Sequence, residues 1–158
     1  ALPSFLLAIA IAAALGPGLM NVIFAIAFGG IPNYARVTRA AILTVKDLEY
    51  VEAARAIGAA DRRIVFRHMI PNALAPIIVQ ATLGVAGAIM SAAGLSFIGW
   101  GVQPPTPEWG SMLSSGKQYI RTNWNIVTFP GLTIMLTVFA LNLLGDGLRD
   151  ALDPKLKR

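Results

Sequence analysis

The sequence predicts an all-α fold, a polytopic bundle of membrane-crossing helices with a charged helical loop on one face and a longer loop on the other. Two observations carry this. The first is a concentrated lack of charge. Of 158 residues 56% are hydrophobic and 13% charged, and mean hydropathy is +0.65, whereas soluble domains average about 25% charged. No charged residue occurs in 1–35, 73–107 or 122–145. Each of these runs exceeds the roughly 20 apolar residues that a bilayer span requires, and runs this long are rare in the core of a soluble bundle. The second observation is where the positive charge sits. Arg36, Arg39, Lys46, Arg55, Arg62, Arg63 and Arg67 fall in one stretch, and Arg149, Lys155, Lys157 and Arg158 in the tail; only Lys117 and Arg121 lie elsewhere. This positive-inside asymmetry places the central stretch and the tail in the cytoplasm and residues 99–123 outside. It also excludes nucleic acid as a partner, because the net charge of +5 is not spread over a soluble face.

Each element has its own local signals. Residues 2–15 read as a partial span, since 12 to 14 residues reach only about 20 Å. Gly16-Pro17-Gly18 is a tight outer turn. Residues 19–42 form a span, with Pro32 placed to kink it by removing a backbone donor. Residues 47–69 form the charged loop. Asp47 is placed to cap a helix from Leu48 to Ile57, with Leu48, Val51 and Ala54 on one face and Glu52 able to meet Arg55. Gly58 suits a left-handed helix end. Asp61 is placed to cap a second short helix running to Met69.

Pro71 then opens the next span, 71–93, in the first turn, where proline is tolerated. Its Gly84, Gly87 and Ser91 permit close helix packing or line a path. The prolines at 104, 105 and 107 end that span, and 94–123 form the external loop. Trp100, Trp109, Tyr119 and Trp124 suit a membrane interface, and a short helix from Glu108 to Tyr119 lies along it. A last span covers 124–145, ending at Gly145-Asp146, and 146–158 are a cytoplasmic tail. Asn21, Gln80, Ser91 and Asn142 are the polar residues within the spans; they bond between helices or face a water-filled path. The chain begins inside an apolar segment without Met and without a basic leader, so it reads as part of a longer protein with no cleavable signal.

Several chemistries lack their residues. With no cysteine there is no disulfide and no thiolate metal site, and no cofactor, metal or catalytic residue is expected. Residues Gly110 to Gln118 resemble a phosphate loop, but carry one residue too many between the glycines and Gln118 where Ser or Thr would hold magnesium. A serine hydrolase would need Ser96 within about 3 Å of His68, the only histidine, yet a whole span of roughly 30 Å separates them. An ion-coupled secondary transporter, the weakest alternative, would place an ionisable group at mid-membrane, and the spans hold none.

The motifs are more specific than the composition. Glu52-Ala53-Ala54, followed by Gly58 and then Pro71-Asn72, resembles the EAA loop of permeases of bacterial ATP-binding-cassette (ABC) importers. Gly94-Leu-Ser-Phe-Ile-Gly99, Gly101-Val-Gln-Pro-Pro-Thr-Pro-Glu-Trp-Gly110 and Gly145-Asp-Gly-Leu-Arg-Asp-Ala-Leu-Asp-Pro154 are similar to the dipeptide/oligopeptide/nickel group, specifically the second of its two paired permeases. The resemblance covers essentially the whole chain.

It implies the ABC importer permease fold in the cytoplasmic membrane of a bacterium or archaeon, and a parent chain about twice this length. It implies a paired homologous permease, two ABC ATPase subunits, a periplasmic or lipid-anchored substrate-binding protein and membrane lipid as partners. It gives Glu52, Ala53, Ala54, Gly58, Pro71 and Asn72 the role of coupling to an ATPase. ATP hydrolysis would then belong to the partners. Short peptides are the expected substrate, with nickel or glutathione as alternatives.

Overall fold

A computed structural model describes residues 3–152. Among these residues every regular element is helical: α1 (Ser4–Leu15), α2 (Leu19–Val45), α3 (Glu49–Ala56), α4 (Asp61–Arg63), a π-helical segment (Ile64–Met69), α5 (Ile70–Asn72), α6 (Leu74–Phe97), α7 (Trp109–Gly116) with a 3₁₀ turn (Lys117–Tyr119), and α8 (Asn125–Leu152). The chain divides into two compact units. Residues 3–31 together with 83–143 form one; residues 32–82 and 144–152 form the other.

The first unit is built on small residues. Ala8, Ala12, Val22, Ala25 and Leu95 make its buried cluster. Close approach replaces bulk here. A Cβ on Gly29 would lie 3.1 Å from the Ser4 carbonyl oxygen, and one on Gly94 3.2 Å from the Phe5 ring. The turn between α1 and α2 is closed by Asn21, whose Nδ2 donates to the carbonyls of Leu15 and Gly16, each at 3.0 Å.

The loop after α6 is equally tight. The Ser96 hydroxyl accepts from the Val102 N–H at 3.1 Å, and Gly18 N–H donates to Gly101 O at 3.0 Å. A Cβ on Gly101 would fall on Ser96, and one on Gly110 on the backbone of Ala93. α7 opens with Glu108, whose carboxylate accepts from Ser111 N–H at 2.7 Å, while Ser111 Oγ donates back to Glu108 O at 2.8 Å. The helix expected from Glu108 to Tyr119 is thus present, as α7 and its 3₁₀ turn.

The second unit packs the charged loop on Ala41, Val45, Val51, Ala54, Ile64, Met69 and Ala73.

Two features differ from expectation. α6 runs past Ala93 to Phe97 and is ended by Gly99 at φ 91°, not by the later prolines. α8 does not stop at Gly145-Asp146 but continues to Leu152; a helical glycine costs only about 1 kcal/mol, and Gly145 is buried. The rest of the expected tail lies outside the described residues. α2 passes through Pro32 without interruption.

Two helices, Leu74–Phe97 and Asn125–Leu152, are long and apolar enough to cross a membrane, and only 6% and 11% of their apolar windows are buried. A core helix of a soluble protein that met the same length and apolarity would be mostly buried. α2 has the length but not the apolarity, since Asn21, Pro32, Asn33 and Arg36 interrupt it.

Candidate functional site

The charged loop is a pair of short helical arms. α3 begins at Leu48, whose backbone is extended (φ −80°, ψ 147°) and whose side chain makes no cap. Asp47, expected there, is one residue too early. It instead pairs with Lys46 at 3.7 Å, the one ion pair among the described residues; the expected Glu52–Arg55 pair is not formed. Glu49 and Glu52 lie in the first turn of α3 and Arg55 in the last, each placed favourably for the helix dipole. Val51 and Ala54, which share a face as expected, are buried, at 0% and 6% exposure. Leu48 is exposed, because as cap residue it lies outside the helical spiral. Glu52 and Ala53 face outward.

Gly58 closes α3 at φ 79°. Its N–H donates to Arg55 O at 2.9 Å and the Ala59 N–H to Ala54 O at 3.1 Å, the paired bonds of a Schellman motif. Nothing lies within 4 Å of where a Cβ on Gly58 would stand. The turn therefore depends on backbone freedom alone, and its tip is open.

The returning arm starts at Ala60, with Asp61 as the first helical residue and not the cap. It then widens: Ile70 N–H donates to Val65 O, five residues back. Pro71 supplies a reason, as it has no N–H for the Arg67 carbonyl four residues behind it. Asn72 compensates one position later by donating its side-chain Nδ2 to His68 O at 2.7 Å. Pro71 is thus part of the arm, and the next long helix begins at Leu74, after a break at Ala73. Between the arms lies a groove of about 650 Å³ lined by Tyr50, Ala53, Ala54, Ile57, Gly58, Ala59, Arg63, Arg67 and His68.

Of the six residues expected to couple, Glu52, Ala53 and Gly58 are exposed on or beside the tip. Ala54 anchors the arm, and Pro71 and Asn72 set the geometry of its return. Among the described residues no cluster of three His, Asp or Glu could hold a metal.

The residues expected on a path or a packing face behave differently. Asn21 bonds from α2 to the end of α1. Gln80, Gly84 and Ser91 are half-buried and Gly87 and Asn142 exposed; no side-chain hydrogen bond forms at Gln80, Ser91 or Asn142 among the described residues. A Cβ on Gly87 would meet nothing. Of the glycines that admit a neighbour at close range, Gly94, Gly101 and Gly110 stand in the sequence pattern only as motif letters. The Ser96 oxygen accepts from the Val102 N–H, a structural use.

The sequence has counterparts among known proteins. The family described as binding-protein-dependent transport system inner membrane component matches residues 1–158. A di/tripeptide transport system permease protein of Pseudomonas aeruginosa is 59% identical over 157 residues, 99% of this chain and 52% of that protein. A dipeptide transport system permease protein of Escherichia coli K12 is 54% identical over 158 residues, 100% of this chain and 53% of its own length. A glutathione transport system permease protein of Escherichia coli O1:K1 is 50% identical over 157 residues, 99% of this chain and 52% of its own. The chain thus spans about half the length of these relatives. Full-length agreement with the family, together with the apolar uncovered helices, shows that this chain belongs to the binding-protein-dependent transport system inner membrane components.

Proposed function

We propose that the chain forms part of a permease subunit of an ATP-driven importer of short peptides, and that its Glu49–Asn72 loop docks on an ATPase subunit. The observation that carries this is the construction of the loop. Val51 and Ala54 fix α3 to a buried cluster while Glu52 and Ala53 stay exposed beside a sharply closed tip. A plain connection between two spans needs neither the second arm nor the paired cap. A short helix anchored on one face and bare on the other can receive a push from a soluble partner and pass it into the next helix.

Dipeptide and di/tripeptide permeases as relatives support peptides. The glutathione permease supports a second, compatible reading, because glutathione is itself a tripeptide. The further partners would be a second permease and a substrate-binding protein outside the membrane. The loop and the chain after Asp146 would be cytoplasmic, and 99–123 external with α7 along the interface.

Reconstitution tests this. The full-length permease pair in liposomes, given ATPase subunits and binding protein separately, is expected to take up dipeptides only with both and with ATP. Uptake should persist when ion gradients are collapsed. Uptake driven by a proton or sodium gradient without the ATPase would overturn the assignment. In intact cells Ser115→Cys should be labelled from outside and Ala59→Cys should not; external labelling of Ala59→Cys would invert the topology.

A further inference from the structure

The groove between the two arms carries charge of one sign only. From α3 it is lined by Tyr50, Ala53 and the capping residue Ile57, and from the returning arm by Arg63, Arg67 and His68. No carboxylate lines it, although Glu49, Glu52 and Asp61 belong to the same loop. Tyr50, Ala53 and Ile57 form one side of α3 by three- and four-residue spacing. Glu49 and Glu52 form another, about 100° round the helix, and both are exposed. Arg63 and Arg67 have no anionic partner among the described residues, where the single ion pair is Lys46–Asp47. The loop therefore shows a negative stripe on one side of α3 and a basic groove on the other.

The basic side of the groove depends on the π-helical turn. Arg63 and His68 are five residues apart, a spacing that sets side chains about 140° apart in an α-helix. The bond from Ile70 N–H to Val65 O, five residues back, widens the turn, and both residues line the one groove. The same spacing brings Ile64 and Met69 together in the buried cluster. The widened turn thus sorts this arm into a buried apolar stripe and a basic one beside it.

We propose that the groove receives a carboxylate side chain of the ATPase subunit, carried on an apolar segment, with Arg63 and Arg67 as its partners. The proposal rests on the reading of the loop as an ATPase dock and names the chemistry that the dock holds. Charge complementarity sets the sign. A partner must offer negative charge to the groove and positive charge to Glu49 and Glu52, and a surface of uniform charge is repelled by one of the two. A carboxylate also matches a guanidinium with two parallel N–H bonds. Ile57, 85% exposed, and Ala53 give the groove an apolar side, which suits the stem of an acidic residue and is of no use to a free anion. Gly58 lines the groove and has no neighbour within 4 Å of a Cβ position, so a segment arriving at the tip enters without displacing a side chain there.

The test uses the full-length permease pair in nanodiscs and measures its affinity for added ATPase subunits. Arg63→Glu and Arg67→Glu should each weaken binding about tenfold, because each sets like charges against each other. Arg62→Glu makes the same charge change on the same arm but off the groove, and should weaken binding severalfold less. Each exposed Asp or Glu of the ATPase subunit is then changed to Lys in turn. One such change should restore binding to the Arg63→Glu pair while weakening binding to the unaltered pair, a rescue that a misfolded loop would not give. Equal losses from Arg62→Glu and Arg63→Glu would overturn the proposal, and so would a scan in which no change rescues. Inorganic phosphate should weaken binding no more than chloride at equal ionic strength; a larger effect would make the groove a site for free anions instead. If the unaltered pair binds no ATPase subunit, the functional reading itself fails, whereas binding that ignores Arg63 and Arg67 sinks only the proposed occupant of the groove.

Discussion

Two helix ends in this chain are closed by the same pair of bonds. At the end of α3, Gly58 N–H reaches Arg55 O at 2.9 Å and Ala59 N–H reaches Ala54 O at 3.1 Å; at the end of α6, Gly99 N–H reaches Ser96 O at 3.1 Å and Trp100 N–H reaches Leu95 O at 2.9 Å. Both glycines have positive φ, and neither has a neighbour where its Cβ would be. The two chain segments beyond these caps differ. After Gly99 the chain is held against the helix it has just left, by Ser96 on Val102, by Gly101 against Ser96 and by Gly110 against Ala93. After Gly58 the chain turns into a second arm and leaves the tip bare. One cap therefore serves a locked loop and the other a presented one. The cap geometry alone does not say which; the small residues downstream do.

The comparison can be broken most forcefully at Gly110. Gly110→Val puts a side chain onto the Ala93 backbone and should cost about 3 kcal/mol or more, read as loss of folded permease in a thermal unfolding assay. Normal stability would mean that the loop is not locked.

The two caps can be set against each other next. Gly58→Val and Gly99→Val both force a β-branched residue to positive φ, at about 1–2 kcal/mol or more each. Gly58→Val should insert but lose ATPase association and uptake, whereas Gly99→Val should lose similar stability yet keep ATPase association. Equal effects on association would erase the distinction.

Ser96→Ala should be milder. It leaves the Val102 N–H without its acceptor, for about 1 kcal/mol, lowering the melting temperature slightly with uptake retained. Lys117→Ala should be smallest, removing a cation held 5.8 Å over the Phe97 ring, worth about 0.5 kcal/mol when exposed. The ATPase rate of the assembled complex should not change; a large fall would reopen the phosphate-loop reading.

How much the sequence disclosed depended on the length scale of each signal. Long uncharged runs mark α6 and α8 because hydropathy sums over many residues. Gly58 was legible because positive φ has few other occupants. Val51 and Ala54 followed from helical spacing. The N-caps of the charged loop were not legible: Asp47 and Asp61 each miss their position by one residue, and no average over a window can resolve one residue. Leu48 failed for the same reason. Gly145 and Asp146 read as a stop, yet a helix tolerates both when one face is covered. The close contacts at Gly101 and Gly110 join residues apart in sequence, so local pattern could not reveal them. Asn72 was legible only as a motif letter; its bond to His68 O needed the widened turn around it.

That widened turn between Ile64 and Met69 has a consequence for chain length. A π-helical stretch holds one residue more than the α-helical path it replaces. This is slack in the backbone. A chain shortened by one residue there could close as ordinary helix, whereas a deletion within α6 would rotate every later residue of that helix by about 100°. Sequences of this type that differ by a single residue in length are therefore expected to differ between Ile64 and Met69, and to keep the count from Leu74 to Gly99.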